Sequence, residues 1–173
     1  MYEKNFPNKR YKITAEFLKE NIAAGSKILD LGVENPFTAI MQAQGYQVEN
    51  TKGEDLDFDL SAANTEADVV TAFEIFEHLL APLNILSAIK ADKLVASIPL
   101  KLWFAPAYRS KTDQWDRHYH EFEDWQFDWL LEKSGWEVKN RKKFTNPSRQ
   151  LGLRPLLRSF TPRYYMVYAE RKA

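Results

Sequence analysis

A chain of 173 residues falls within the usual size of one domain, so a single core is expected over 1–173. Hydrophobic residues make up 45% and charged residues 28%, an ordinary globular balance, and no apolar run is long enough to span a bilayer. Lys plus Arg equals Asp plus Glu at 24 each, which gives binding to a nucleic-acid backbone little support, although 141–171 is locally basic and 54–68 acidic. The lack of Cys excludes disulfides, thiolate metal sites and cysteine nucleophiles. Residues 1–10 are charged and lack the apolar segment of a signal peptide, so a cytoplasmic location is expected.

Tyr11, Ala15, Leu18 and Ile22 form one helical stripe, predicting a helix over 7–24 that Gly25 and Ser26 stop. KILDL at 27–31 is short, apolar and bounded by glycines, which fits a buried strand. Asn35 is a good N-cap and Pro36 a good first helical residue, so a short helix over 36–44 follows and ends at Gly45. A strand over 46–50 comes next, then an acidic, irregular stretch with a brief strand over 56–60. ADVVTAF at 67–73 is rich in β-branched residues and reads as a strand. A helix over 82–91, a strand over 93–98 closed by Pro99, and a helix over 123–134 stopped by Gly135 follow. Two last strands, 136–144 and 164–171, are joined by a loop over 147–162. This alternation predicts an α/β fold: a Rossmann-like three-layer α/β/α sandwich, mostly parallel, with an antiparallel C-terminal edge hairpin.

In an open α/β sheet the ligand lies beyond the carboxyl ends of the strands, where strand order reverses. With the first strand central, that point is 32–36. Gly32 lets the backbone approach a ligand, and the helix behind it offers N–H groups. Glu34 and Pro36 stand where a phosphate cradle wants glycine. Glu34 either favours a cationic ligand over a phosphate or is a solvated loop residue.

KILDLG at 27–32 and ADVVTAFEIFEHL at 67–79 resemble the first and fourth strand motifs of class I S-adenosylmethionine-dependent methyltransferases. HYHEF at 118–122, followed by a helix and SGWEV at 134–138, is similar to a later segment of small members. The middle block is the most specific, with Asp68 before the strand, then Phe73-Glu74 and Glu77-His78-Leu79. The resemblance implies S-adenosylmethionine as cofactor. It places Asp30, Gly32 and Glu34 along the methionine part, and Asn50 and Thr51 at the ribose hydroxyls, where family members carry an acidic residue. Asp55, Leu56 or Asp57 would flank the adenine; Ala72, Phe73 and Glu74 would line the open side, with His78 reaching the same pocket. Two features depart from the pattern: the first loop lacks repeated glycines, and 50–68 is too short for a full-length helix between strands.

The implied activity is methyl transfer to oxygen or nitrogen of a small-molecule acceptor; the alternative is a non-catalytic cofactor-binding or scaffold domain. His118, His120 and Glu121 follow the fifth expected strand and are the candidate bases, unless the two His simply bond the loop or pack on aromatics. His118 and His120 could also share an ion, but with His78 the only other His and no Cys, no metal is assigned. Glu74 and Glu77 stand near each other, but nothing else supports glycosidase chemistry. Trp103, Phe104, Tyr108 and Trp115 read as a lid over the acceptor, as a satellite core, or as a homodimer contact. Arg109, Lys111 and Arg117 attract an anionic acceptor or form a solvated rim.

Overall fold

The computed structural model describes residues 6–145 and 152–172. Six strands form one sheet: β1 (Lys27–Asp30), β2 (Gln47–Asn50), β3 (Val69–Phe73), β4 (Lys93–Pro99), β5 (Trp136–Phe144) and β6 (Tyr164–Arg171). Their order is β2-β1-β3-β4-β6-β5. The pairs joining β2, β1, β3 and β4 are parallel, whereas β6 runs antiparallel to both β4 and β5. The expected C-terminal hairpin is therefore present, with β5 at the edge. Among the described residues five α-helices accompany the sheet: α1 (Phe6–Asn21), α2 (Pro36–Ala43), α3 (Pro82–Ala88), α4 (Asp124–Lys133) and α5 (Leu153–Phe160).

Strand side chains alternate between two cores, as a period of two requires. Ile28, Val69, Val95 and Met166 pack with Phe17 and Leu18 of α1 and Phe37 and Met41 of α2. Leu29, Val70, Leu94, Ala96 and Val167 face the other way, onto Ile85 and Leu86 of α3 and Phe127 and Leu131 of α4. This is the three-layer sandwich expected from the alternating pattern. Each fully buried aliphatic side chain contributes roughly 1.5–3 kcal/mol, so the two cores are the main source of stability. Asp68 ties the amino ends of β1 and β3 together, its Oδ2 accepting the Lys27 N–H at 2.8 Å. No helix among the described residues is long and apolar enough to cross a membrane.

Two elements differ from expectation. Residues 56–60 form turns and the start of a short 3-10 helix, Leu60–Ala63. Asp55 and Asp59 there each accept an N–H two residues on, which competes with a strand ladder. Asp57 reaches across instead, taking the N–H groups of Leu80 and Ala81 at 2.8 Å each. The long final connection contains α5, and its earlier part, 146–151, lies outside the described residues. Gly152 and Pro155 look like helix breakers, but proline is tolerated in a first helical turn. α1 and α3 also end earlier than their patterns suggested, at Asn21 and Ala88.

Candidate functional site

Strand order reverses between β1 and β3, which lie on one another while β2 lies beyond β1. At the carboxyl ends of these strands three polar residues stand in register: Asn50 opposite Asp30, and Asp30 opposite Thr71. Asp30 is the centre of the row. Its Oδ1 accepts the Thr71 hydroxyl at 2.7 Å and its Oδ2 the Asn50 amide at 3.1 Å. Asp30 is 4% exposed, and burial pushes its carboxyl up to about 6 despite those two donors. Asn50 also donates to the Gly32 carbonyl at 2.9 Å and accepts the Thr38 hydroxyl at 3.2 Å. Asn50 thus braces the loop after β1. Thr51 is buried, its N–H on the Asp30 carbonyl at 3.0 Å.

The loop from β1 to α2 is built by its own residues. Asn35 caps α2 through the Phe37 N–H, and Thr38 reaches back to the Asn35 N–H. The first helical donors are thereby occupied, so the helix offers less to a phosphate than an uncapped terminus does. A side-chain carbon on Gly32 would sit 3.6 Å from Asp30 Oδ2 and 3.8 Å from Ile75 Cδ1. Gly32 thus places no side chain against the Asp30 carboxyl. Glu34 is exposed on the loop.

The adenine-side candidates divide. Asp55 is exposed and organises its own turn, whereas Leu56 is 5% exposed in the core under α3. Ala72 is fully buried, and Phe73 meets Phe37 edge-on at 5.3 Å.

The end of β3 carries a second polar group. Glu74 has φ +58, the one positive value on a non-glycine among the described residues. Such strain gathers at working sites because surrounding structure must hold it. Glu74 accepts the Ser97 hydroxyl at 2.9 Å and lies 3.9 Å from the Arg10 guanidinium. Burial raises its carboxyl, opposed by Arg10, Ser97 and Arg163. Glu77 is 1% exposed; burial, then the Glu74 charge, holds its carboxyl well above the ordinary range. Its carbonyl accepts the N–H groups of Tyr119 and His120, at 2.8 and 3.2 Å, and so draws 117–120 against the end of β3.

That docking separates the three candidate bases. His120 Nε2 faces the Leu80 carbonyl at 3.3 Å and its ring stacks on Phe122. Glu121 Oε1 accepts the Tyr108 N–H at 2.7 Å and pins the preceding loop. His118 lies against Tyr108 and meets His78 edge-on, with ring centroids 4.5 and 4.7 Å away. The pair His118–His120, adjacent in sequence, is thus replaced in space by His118–His78. His118 also lines a cavity of about 600 Å³ with Tyr108, Arg109, Ser110, Lys111, Arg117 and Tyr119. A second cavity of similar size lies at the opposite, amino ends of β1 and β2 and shares none of these residues. Thr38, Thr71 and Glu77 carry much of the site's bonding, although sequence reasoning assigned them no binding role, and Asp57, expected near the adenine, is taken up by the Leu80 and Ala81 N–H groups. In-register pairing across β2, β1 and β3 is the signal that exposes Thr71.

No family model matches the sequence, and no curated protein does. Solved structures do match. One is Burkholderia thailandensis 1,6-didemethyltoxoflavin-N1-methyltransferase, bound to 1,6-didemethyltoxoflavin and S-adenosylhomocysteine. It is 15% identical, with a TM-score of 0.68 over 98% of this chain and 84% of that one. The chain has the class I S-adenosylmethionine-dependent methyltransferase fold. A second structure, the N-terminal domain of EvdMO1 with S-adenosylhomocysteine bound, is 13% identical, with a TM-score of 0.55 over 94% of this chain and 81% of that one. A third, from Rhodobacter sphaeroides, carries the provisional name of a Zn-dependent alcohol dehydrogenase. It is 10% identical, with a TM-score of 0.64 over 93% of this chain and 89% of that one. Likeness at this identity fixes the methyltransferase fold and leaves the reaction to the site's own chemistry.

Proposed function

We propose that the chain binds S-adenosylmethionine at the β1–β3 switch point and transfers its methyl group to oxygen or nitrogen of a small, anionic acceptor. The observation that carries this reading is the buried Asp30 carboxyl, whose Oδ2 lies beside Gly32 at the end of β1, within 3.6 Å of where a side-chain carbon would stand. A buried carboxyl with a raised pKa favours a cationic ligand, whose charge repays its ionisation. Self-capping of α2 disfavours a phosphate there. A ligand with an ammonium, a sulfonium and no phosphate fits both conditions, and two of the three structures named above hold S-adenosylhomocysteine.

Bound S-adenosylmethionine supplies a methyl group already activated by the sulfonium, so the protein has to align the acceptor, exclude water and take up a proton. Arg109, Lys111 and Arg117 give the cavity a cationic lining that orients an anionic acceptor. His118 is the one candidate base on its wall. Burial, with His78 and Arg163 adding to it, lowers His118 to about 4 and leaves its lone pair free at neutral pH. His120 has its Nε2 on the Leu80 carbonyl and Glu121 holds the loop, so both serve as positioning groups.

The test is transfer of labelled methyl from S-adenosylmethionine to a panel of anionic hydroxyl and amine acceptors. Labelled product, reduced by changes at Arg109 and Lys111, supports the reading. Cofactor binding with no product across the panel favours a non-catalytic scaffold.

A further inference from the structure

We propose that Glu77, His78 and His118 bind one divalent transition-metal cation. One donor atom from each of these side chains lies within 4.8 Å of the others. They come from two segments that the backbone clamps together, because the Glu77 carbonyl holds the N–H groups of Tyr119 and His120. The inference stands on the geometry of this cluster and needs no methyl transfer.

The first argument is the state of Glu77. Both its carboxyl oxygens are buried, and beyond the residue's own backbone N–H they meet no hydrogen-bond donor among the described residues. Buried carboxylates are ordinarily satisfied by donors or by a metal. Arg10 and Arg163 act on Glu77 through space, but Arg10 stands at Glu74 and Arg163 donates to the Leu100 carbonyl. Neither guanidinium fills the coordination of Glu77.

The second argument is the tautomer of His78. Its Nδ1 faces the Arg117 carbonyl at 3.0 Å, and a carbonyl only accepts, so Nδ1 carries the proton. In the neutral ring the bare Nε2 then faces Glu77 Oε1 at 3.6 Å. That distance is too long for a hydrogen bond in either direction. Two ligands about 2.1 Å from a common ion stand roughly 3.0–3.5 Å apart, so a small contraction brings this pair onto one cation. A backbone carbonyl on the far nitrogen is the support that metal-binding His commonly has.

The third argument is His118. Its ring meets His78 edge-on and it is only partly buried, so a ring nitrogen within 4.8 Å of the other two donors is accessible to complete the set. Asp116 and Glu74 add negative charge around the cluster, and Arg10 and Arg163 oppose it. Two imidazoles with one carboxylate favour zinc, manganese, iron or cobalt over magnesium or calcium, which prefer oxygen ligands throughout. With a cation present, the lone pair of His118 belongs to the metal, and its role as a base gives way to a ligand's role.

The experiment is titration of chelator-stripped full-length protein with Co2+ and with Zn2+, read by calorimetry, by the visible absorption of Co2+, and by melting temperature. One equivalent should bind at micromolar or tighter affinity, raise the melting temperature and produce a ligand-field spectrum. A large excess of Mg2+ should not displace it. His78→Ala and His118→Ala should each weaken binding at least a hundredfold, and Glu77→Gln should do the same while keeping side-chain shape. His120→Ala, outside the cluster, should leave affinity unchanged. If folded protein binds neither ion below millimolar concentration, or if the His78 and His118 variants bind as the parent does, the proposal is overturned.

Discussion

Asp30 and Thr71 stand directly opposite each other on β1 and β3, and the Thr71 hydroxyl donates to Asp30 Oδ1 at 2.7 Å. The bond crosses the line at which strand order reverses. It therefore couples the stability of the sheet to the charge of the Asp30 carboxyl in the proposed cofactor site.

The Asp30 pKa is raised from 3.8 to about 6 in the fold. A raised carboxyl contributes its stability below the unfolded value and loses it as pH rises through the folded one. Asp30 should therefore lower stability by about 2 kcal/mol between pH 4 and pH 7. Thr71→Val removes a donor that favours the ionised form. It should cost about 1–3 kcal/mol near pH 8, where that form prevails, and less near pH 4. Urea unfolding of parent and variant at both pH values measures the difference. Equal losses at the two would separate Thr71 from the ionisation of Asp30.

A cationic ligand beside Asp30 selects the carboxylate. Affinity for S-adenosylmethionine should fall as pH drops below about 6, approaching about tenfold per unit. Calorimetry near pH 5.5 in buffers of different ionisation enthalpy should show a proton released on binding. A pH-independent affinity would place the ligand's charge elsewhere.

Gly32 separates fold from binding. The added carbon of Gly32→Ala meets its neighbours at 3.6 and 3.8 Å, ordinary contact distances, so the melting temperature should hardly change. The same carbon stands against Asp30 Oδ2, and affinity for the cofactor should fall about tenfold or more, or roughly 1.4 kcal/mol. Thermal melts and binding titrations of the same preparation check both halves.

Arg109 and Lys111 line the cavity proposed to take the acceptor. Changing both to Glu should lower kcat/KM for an anionic acceptor and leave cofactor affinity intact. The parent's kcat/KM should also fall with added salt, as screening of exposed charge requires. A neutral acceptor should respond little to either change.

Arg171 anchors the sheet at its other end. Its guanidinium lies over Trp136 at 4.0 Å and donates to the carbonyls of Ser134, Leu86 and Ile89. Lys cannot reproduce a planar, branched donor, so Arg171→Lys should destabilise the protein by about 2 kcal/mol without touching ligand binding.

The alternation of strands and helices was legible because its periods are local: the β1, β3 and β4 runs are apolar, and Asn35-Pro36 marks the start of α2. The turn over 56–60 and α5 were missed where side chains or the placement of a proline overrode a simple pattern. Gly32 was singled out by its place after a buried strand and Asp30 by the family resemblance, and the two lie at and just beyond the carboxyl end of β1. The pairing of His78 with His118 was not, since it depends on how the Glu77 carbonyl docks a distant segment. Nor was the brace from Asn50 to Gly32, which needs the parallel register of β1 and β2.

The most direct measurement is calorimetric titration of the folded protein with S-adenosylmethionine and, separately, S-adenosylhomocysteine, in parent and in Gly32→Ala. The account predicts saturable micromolar binding of both ligands to the parent, weakened in the variant. No binding of either ligand by folded parent protein, or equal binding by the variant, would contradict a cofactor site at the β1–β3 switch point.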